Sequence, residues 1–339
     1  MIAVGVDTHK DSHFAVALDR LGQVLGELVI EVSAAGYREL ERWAAGLAAD
    51  KQLAFGIEGT GSYGAGLCEH LQRGGRSVVE VERPRRRDRR AGKSDRIDAL
   101  AAAKKVLAGE GLSTPKAGGA RAALAALLVA HHSCVSERTR LLNQLQALHV
   151  TAPIALRERI GEGSGKQLER RLAKMRASKD AEVAERAAFA VMRDLAARAR
   201  SLAVDAARYE RKLAELVSSL VPALLDEVGV GPISAAKLLA CDPGRFKSQA
   251  AFARCNGTAP IPASSGKTVR HRLNRGGDRQ VNNAIHTIAL SRSLHHAETR
   301  AYLDRRIGEG KTKREAMRSL KRHLSRRLFN QLVEVPLTS

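Results

Sequence analysis

Apolar and polar positions change rhythm twice along this chain. From residue 1 to about 112, short apolar runs alternate with amphipathic stretches. Ile2–Asp7, Phe14–Asp19, Leu25–Val32, Leu53–Glu58 and Ser77–Glu82 have the length and content of strands. Leu40, Trp43, Ala44 and Leu47 recur at helical spacing within Tyr37–Ala48. Gly64–Gln72 reads as a short helix stopped by Gly74 and Gly75, and Ser94 can cap a helix from about Asp95 to Leu107.

The order is three strands, helix, strand, helix, strand, helix, which predicts an α/β domain of RNase H-like topology over residues 1–112. The texture shifts near Thr114 and Pro115. Arg121 to about His149, and about Gln167 to Leu220, are rich in Ala, Leu, Arg and Glu. Leucines at helical spacing there predict an antiparallel pair of long amphipathic helices turning near Gly161, Gly163 and Gly165. A helical spacer or coiled-coil dimerisation arm over 113–220 is the expectation. From Val221 the rhythm shortens into a mostly α third region, 221–339. "LLDEVGVGPISAAKLLA" has helix–hairpin–helix texture, in which a helix N-terminus can hold a phosphate; a plain tight turn is about as good a reading. "GTAPIPASSGK" reads as a loop leading towards a helix, and about Thr312 to Leu332 as a basic helix.

Charge narrows the possible partners. Lys and Arg number 57 against 36 Asp and Glu, a formal net charge of +21. That balance points to a polyanion, with nucleic acid first and an anionic membrane second. No apolar run approaches a membrane span and no export signal opens the chain, so the expectation is no membrane and a cytoplasmic location. Cys68, Cys134, Cys241 and Cys255 are far apart, which argues against a zinc site or a disulfide framework. Aromatics are only 3%, so backbone contact by Arg and Lys is expected over base stacking. "RPRRRDRR" places six Arg between Arg83 and Arg90, with Arg85, Arg86 and Arg87 at its centre.

Acids then stand out by position. Asp7 and Glu58 end two apolar strands, and Asp95 and Asp98 in "KSDRIDAL" share one helix face at i and i+3. In an RNase H-like sheet the first and fourth strands are neighbours and the last helix packs over them, so the four carboxylates converge. Such a cluster repels itself and calls for divalent cations, and hard oxygen ligands select Mg²⁺ or Mn²⁺. Taken singly, each acid is as well explained as a cap or surface residue; the four in this order are not.

"GVDTHKD", "GIEGTGSYG" and "KSDRIDA" resemble the N-terminal DEDD motifs of the insertion sequence 110 transposases, whose first domain resembles the junction resolvase RuvC. "VGVGPISAAKLLA", "FKSQAAFARCNGTAPIPASSGK" and "RGGDRQVNNAIH" resemble the second domain of that family. The resemblance implies a recombinase that moves a mobile element, guided by an element-encoded bridge RNA pairing with target and donor DNA. It implies a serine nucleophile in the C-terminal domain that meets the acidic site in a composite centre. By the match to "SSGK" that serine is Ser265, with Ser264 the alternative; the lead-in "PIPAS" departs from the family's usual bulkier, more polar one. Lys267, Arg270, Arg272 and Arg275 lie close by and are expected to position DNA phosphates.

Three functions compete. An RNA-guided recombinase needs the four acids and Ser265, and cutting several strands implies a homodimer or homotetramer. A metal-dependent junction nuclease needs the acids alone. A non-catalytic nucleic-acid-binding protein explains the charge and leaves the acids at the strand ends without a reason.

Overall fold

The computed structural model describes residues 1–48, 52–82, 94–116, 118–178, 180–263 and 271–333. They form two compact units. The first is built from Met1–Ala122 with Asp242–Lys247, the second from Ala123–Cys241 with Ser248–Val335.

The first unit is a mixed sheet with helices on both faces. Its elements run β1 (Ile2–Thr8), β2 (Ser12–Leu18), β3 (Val24–Glu31), α1 (Ala34–Ala48), β4 (Leu53–Glu58), α2 (Ala65–Arg73), β5 (Ser77–Val81), α3 (Asp95–Ala108) and β6 (Leu112–Ser113). The sheet order is β3-β2-β1-β4-β5-β6. β1 pairs antiparallel with β2 and parallel with β4. It is therefore central, and apolar from Ile2 to Val6, because both of its faces are covered there. Val4, Val6, Phe55 and Ile57 point to one face and pack with Leu40, Ala44, Leu67 and Leu71 of α1 and α2.

The opposite face carries α3, and glycine sets how near it comes. A Cβ on Gly5 would lie 2.1 Å from the Ala99 carbonyl oxygen, and one on Gly56 would lie 2.4 Å from Val106 Cγ2. The helix answers with its own small residues, Ala99, Ala102 and Ala103, all buried. Helix backbone thus rests almost directly on strand backbone.

The expected order of elements and the pairing of first with fourth strand are both found. Three features differ. The sheet gains a sixth strand, β6, whose two residues are too few to show a period. Asp242–Lys247, far along the chain, belongs to this unit. There Arg245 donates from Nη2 to Glu80 Oε2 at 2.5 Å and from Nε to the Thr114 carbonyl at 2.6 Å, so a buried acid of β5 has a cation partner. The long helix expected from about Gln167 to Leu220 is also interrupted, as described next.

In the second unit α4 (Gly119–Thr151) is followed by α5 (Ile154–Ile160), α6 (Gly165–Leu172) and α7 (Val183–Leu220). Pro153, with no N–H to give, separates α4 from α5. Between α6 and α7, Ser178 and Asp180 favour turn over helix. Leu141 and Leu142 of α4 cluster with Ala199, whereas Leu145, further along α4, clusters with Phe189 and Met192, earlier in α7. The two long helices are therefore antiparallel, as expected. The remaining elements are α8 (Pro222–Leu225), α9 (Pro232–Ala240), α10 (Gln249–Cys255), β7 (Ile261–Pro262), β8 (His271–Arg272), α11 (Arg279–His295), α12 (Ala297–Gly308) and α13 (Lys313–Leu332). α8 is a single turn, and β7, inside the stretch read as loop, pairs with β8 beyond it in a small antiparallel ribbon. Among the described residues no helix is long and apolar enough to cross a membrane.

The close seat of α3 is testable. Gly5→Val forces a side chain into helix backbone and is expected to cost about 2–3 kcal/mol of stability. Gly46→Ala, in α1 with nothing within 4 Å of the added Cβ, is expected to be neutral or to stabilise by about 0.5–1 kcal/mol. Urea unfolding followed by circular dichroism checks both, and an unchanged midpoint for Gly5→Val would contradict the packing.

Candidate metal centre

Strand periodicity places the acids. Side chains two apart on a strand share a face, so Asp7 lies on the face of Gly5, and Glu58 on that of Gly56. Both are the faces that α3 covers. Val6 pairs with Ile57 in the parallel register, so Asp7 and Glu58 are the next residues of neighbouring strands, about 4.8 Å apart in the backbone. β1 ends one residue later, at Thr8, and β4 ends at Glu58 itself. Thr8 Oγ1 donates to the Glu58 carbonyl at 2.9 Å, tying the two strand ends together. Gly59, in the left-handed region at φ 71°, turns the chain away after Glu58.

α3 supplies the other two acids. Ser94 caps it, its hydroxyl accepting from the Ile97 N–H at 3.3 Å. Asp95 and Asp98 occupy the first turn, where the helix dipole favours negative charge. Because α3 lies close along β1, that turn sits beside the strand ends.

The electrostatics register the convergence. Asp7 is 9% exposed, and its carboxyl is pushed above the ordinary aspartate range. Burial is the largest cause; the charges of Asp98, Glu58 and Asp95 push the same way, and His9 pulls against them. The other three acids expected from the sequence therefore all bear on Asp7.

Sequence reasoning alone misses a fifth residue. His9 Nε2 lies 3.1 Å from Asp7 Oδ2 and 3.2 Å from Asp95 Oδ1. One ligand atom from each of Asp7, His9 and Asp95 falls within a 4.8 Å span, close enough to share one cation. The signal is present in "GVDTHKD": two residues past Asp7 on a strand end is the same face.

The donors fit a divalent metal. Carboxylate oxygens are hard ligands, four of them repel without a cation, and an imidazole nitrogen is compatible with Mn²⁺. Asp7, His9 and Asp95 are the described residues whose ligand atoms lie close enough together to hold it, whereas Glu58 and Asp98 bear on Asp7 through their charge and are not part of that group.

Arg272 lies exposed in β8, and Arg275 exposed in the turn before α11. Arg85, Arg86, Arg87, Ser264, Ser265, Lys267 and Arg270 lie outside the described residues.

Comparison with known families agrees with this layout. Residues 4–151 match a transposase family model of the DEDD, IS110 type, and residues 222–304 match the Transposase IS116/IS110/IS902 family model. The first match contains all four acids and His9. No curated protein matches the chain.

The raised Asp7 carboxyl has a signed consequence. A proton competes with a cation at Asp7 from a higher pH than at an ordinary aspartate, so Mn²⁺ affinity is expected to weaken as pH falls through that raised value. Without metal the same shift favours the folded state below the ordinary aspartate range, and that contribution is lost as pH rises through the raised value. Asp7→Asn is therefore expected to raise the thermal midpoint of the metal-free protein near neutral pH while weakening Mn²⁺ binding about 100-fold or more. Calorimetric titration and thermal melts check both arms; a lower metal-free midpoint with unchanged Mn²⁺ affinity would contradict the assignment.

Proposed function

The chain belongs to the IS110 family of transposases, and on that premise we propose that it is an RNA-guided DNA recombinase that cuts and rejoins strands through a serine–DNA link. The observation that carries the reading is the convergence of Glu58, Asp95 and Asp98 on a buried Asp7 in a chain of net charge +21. Structural acids have no reason to gather where they raise one another's charging cost.

The division of labour follows from the chemistry of the side chains. Mg²⁺ or Mn²⁺, when bound by the acids, neutralises phosphate charge and eases formation of an alkoxide. Ser265 is the nucleophile: its hydroxyl loses a proton, its oxygen bonds to phosphorus, and one deoxyribose oxygen leaves and takes up a proton. The new phosphodiester keeps the bond energy of the old one. Attack by a deoxyribose hydroxyl on the serine-linked phosphorus then restores Ser265 and joins strands without ATP. A serine hydroxyl is a weak nucleophile unless activated, which is why the acids and the serine belong to one reaction.

The partners follow from charge and family. Target and donor DNA are the substrates, and a bridge RNA from the element pairs with both. Arg85, Arg86 and Arg87, with Lys267, Arg270, Arg272 and Arg275, neutralise backbone phosphates without reading sequence. One serine cuts one strand at a time, so the working form is a homodimer or homotetramer, with the long helices α4 and α7 as the coiled-coil arm.

Trapping the intermediate tests the reading. Purified protein with its co-purifying RNA, labelled DNA and Mg²⁺ is expected to yield a protein–DNA adduct on a denaturing gel. Ser265→Ala is expected to bind nucleic acid and form none, while Ser264→Ala retains some. Asp7→Ala, Glu58→Ala, Asp95→Ala and Asp98→Ala are each expected to lower adduct formation about 100-fold or more. Cleaved strands without any adduct would mean that water is the nucleophile and that the chain is a metal-dependent nuclease.

A further inference from the structure

The second unit holds a cavity of about 690 Å³ walled by the loop before β7, by β8, and by α12 and α13. Among the described residues, seven Lys and Arg line it against one carboxylate, Glu315. That carboxylate is already engaged, accepting from the Thr312 N–H at 2.9 Å and the Thr312 hydroxyl at 2.8 Å as part of the α13 cap. Other lining cations are also spoken for. Arg306 pairs with Glu309 through Nη1, although its buried Nε has no hydrogen-bond partner among the described residues, and Lys321 Nζ donates to Asn282 Oδ1 at 2.6 Å.

Arg318 and Arg322 are different. Among the described residues, Arg318 has only a distant carboxylate, Glu315 at 3.9 Å. Arg322 keeps a buried Nη1 with no hydrogen-bond partner among the described residues. Both are one helical turn apart on α13, so their guanidinium groups share a face. The potential there is strongly positive: burial, and then Arg326, Arg322 and Arg306, push His323 below the ordinary histidine range. The wall also carries an aromatic pair, Tyr302 edge-on to His323 at 5.4 Å.

Cations in surplus, donors without acceptors and a ring pair describe a receptor for phosphodiester and base together. Size decides the form of the ligand. The cavity is of small-molecule size, and a duplex, whose major groove alone is about 12 Å wide, does not enter it. Position decides which strand. Pro260 and His271–Leu273 line the cavity, and Ser265 lies between β7 and β8 in the sequence.

We propose that this cavity seats one or two unpaired nucleotides of the DNA strand that Ser265 cuts, with Arg318 and Arg322 holding its phosphodiester groups. The assignment of the strand rests on the serine reading given above; the binding itself does not.

Fluorescence anisotropy with the full chain tests it, using a labelled ten-nucleotide strand of thymidine, the uridine ribonucleotide equivalent and a hairpin duplex. Replacing both residues, Arg318→Gln with Arg322→Gln, is expected to weaken binding of the DNA strand about tenfold at low salt and to flatten its log–log salt slope by about 1.4, two phosphates at about 0.7 each. Duplex affinity is expected to stay within about twofold, because both arginines act inside a cavity that a duplex does not enter. Lys313→Gln with Arg314→Gln removes the same charge from exposed positions outside the cavity and is expected to leave single-strand binding nearly unchanged. Arg318→Lys with Arg322→Lys keeps the charge and is expected to retain the salt slope, which distinguishes removal of phosphate binding from damage to the fold. Equal losses in the control pair, equal losses for the duplex, no loss at all, or tighter binding of the ribonucleotide strand than of DNA would overturn the proposal. Anisotropy reads binding without cleavage, so a chain that never forms the serine adduct leaves this test intact.

Discussion

The acidic end of the sheet depends on how closely α3 lies on β1 and β4. A helix normally packs on a sheet through a layer of side chains, which holds the two backbones apart. Here Gly5 and Gly56 remove that layer from the strands, and Ala99, Ala102 and Ala103 thin it on the helix. The same strand period that points Gly5 and Gly56 at the helix points Asp7 and Glu58 at its first turn. Close packing and convergence of the carboxylates are thus one geometric fact, written in the sequence as Gly-x-Asp and Gly-x-Glu.

That geometry stores an electrostatic conflict. A carboxyl in a largely buried site, facing three others, is costly to ionise, and the fold sets His9 against it, between Asp7 and Asp95. An ion of charge +2 resolves the conflict more completely than an imidazole, because it is attracted to every carboxylate at once. The rest of the chain is strongly cationic, so a polyanion is drawn to the molecule while the acids stay gathered at one point of the first unit.

How much of this was legible follows from the range of each interaction. Periods of two and 3.6 residues are local, so the strands and helices of the first unit could be read directly, as could the antiparallel long helices. The pairing of β1 with β4 followed from the order of elements. β6, with two residues, carries no period. The membership of Asp242–Lys247 in the first unit rests on an ion pair between Glu80 and Arg245, which no local pattern announces. The break between α6 and α7 escaped because no Gly or Pro marks it. His9 escaped for a different reason: its neighbours drew attention to Asp7, and only the bridging distances show that the histidine belongs to the same cluster.

Anomalous scattering from crystals grown with Mn²⁺ bears most directly on the claim that this packing builds a metal centre. The account predicts manganese density within coordinating distance of Asp7 and Asp95 carboxylate oxygens. Manganese bound only at surface carboxylates, with His9 still bridging Asp7 and Asp95, would contradict it.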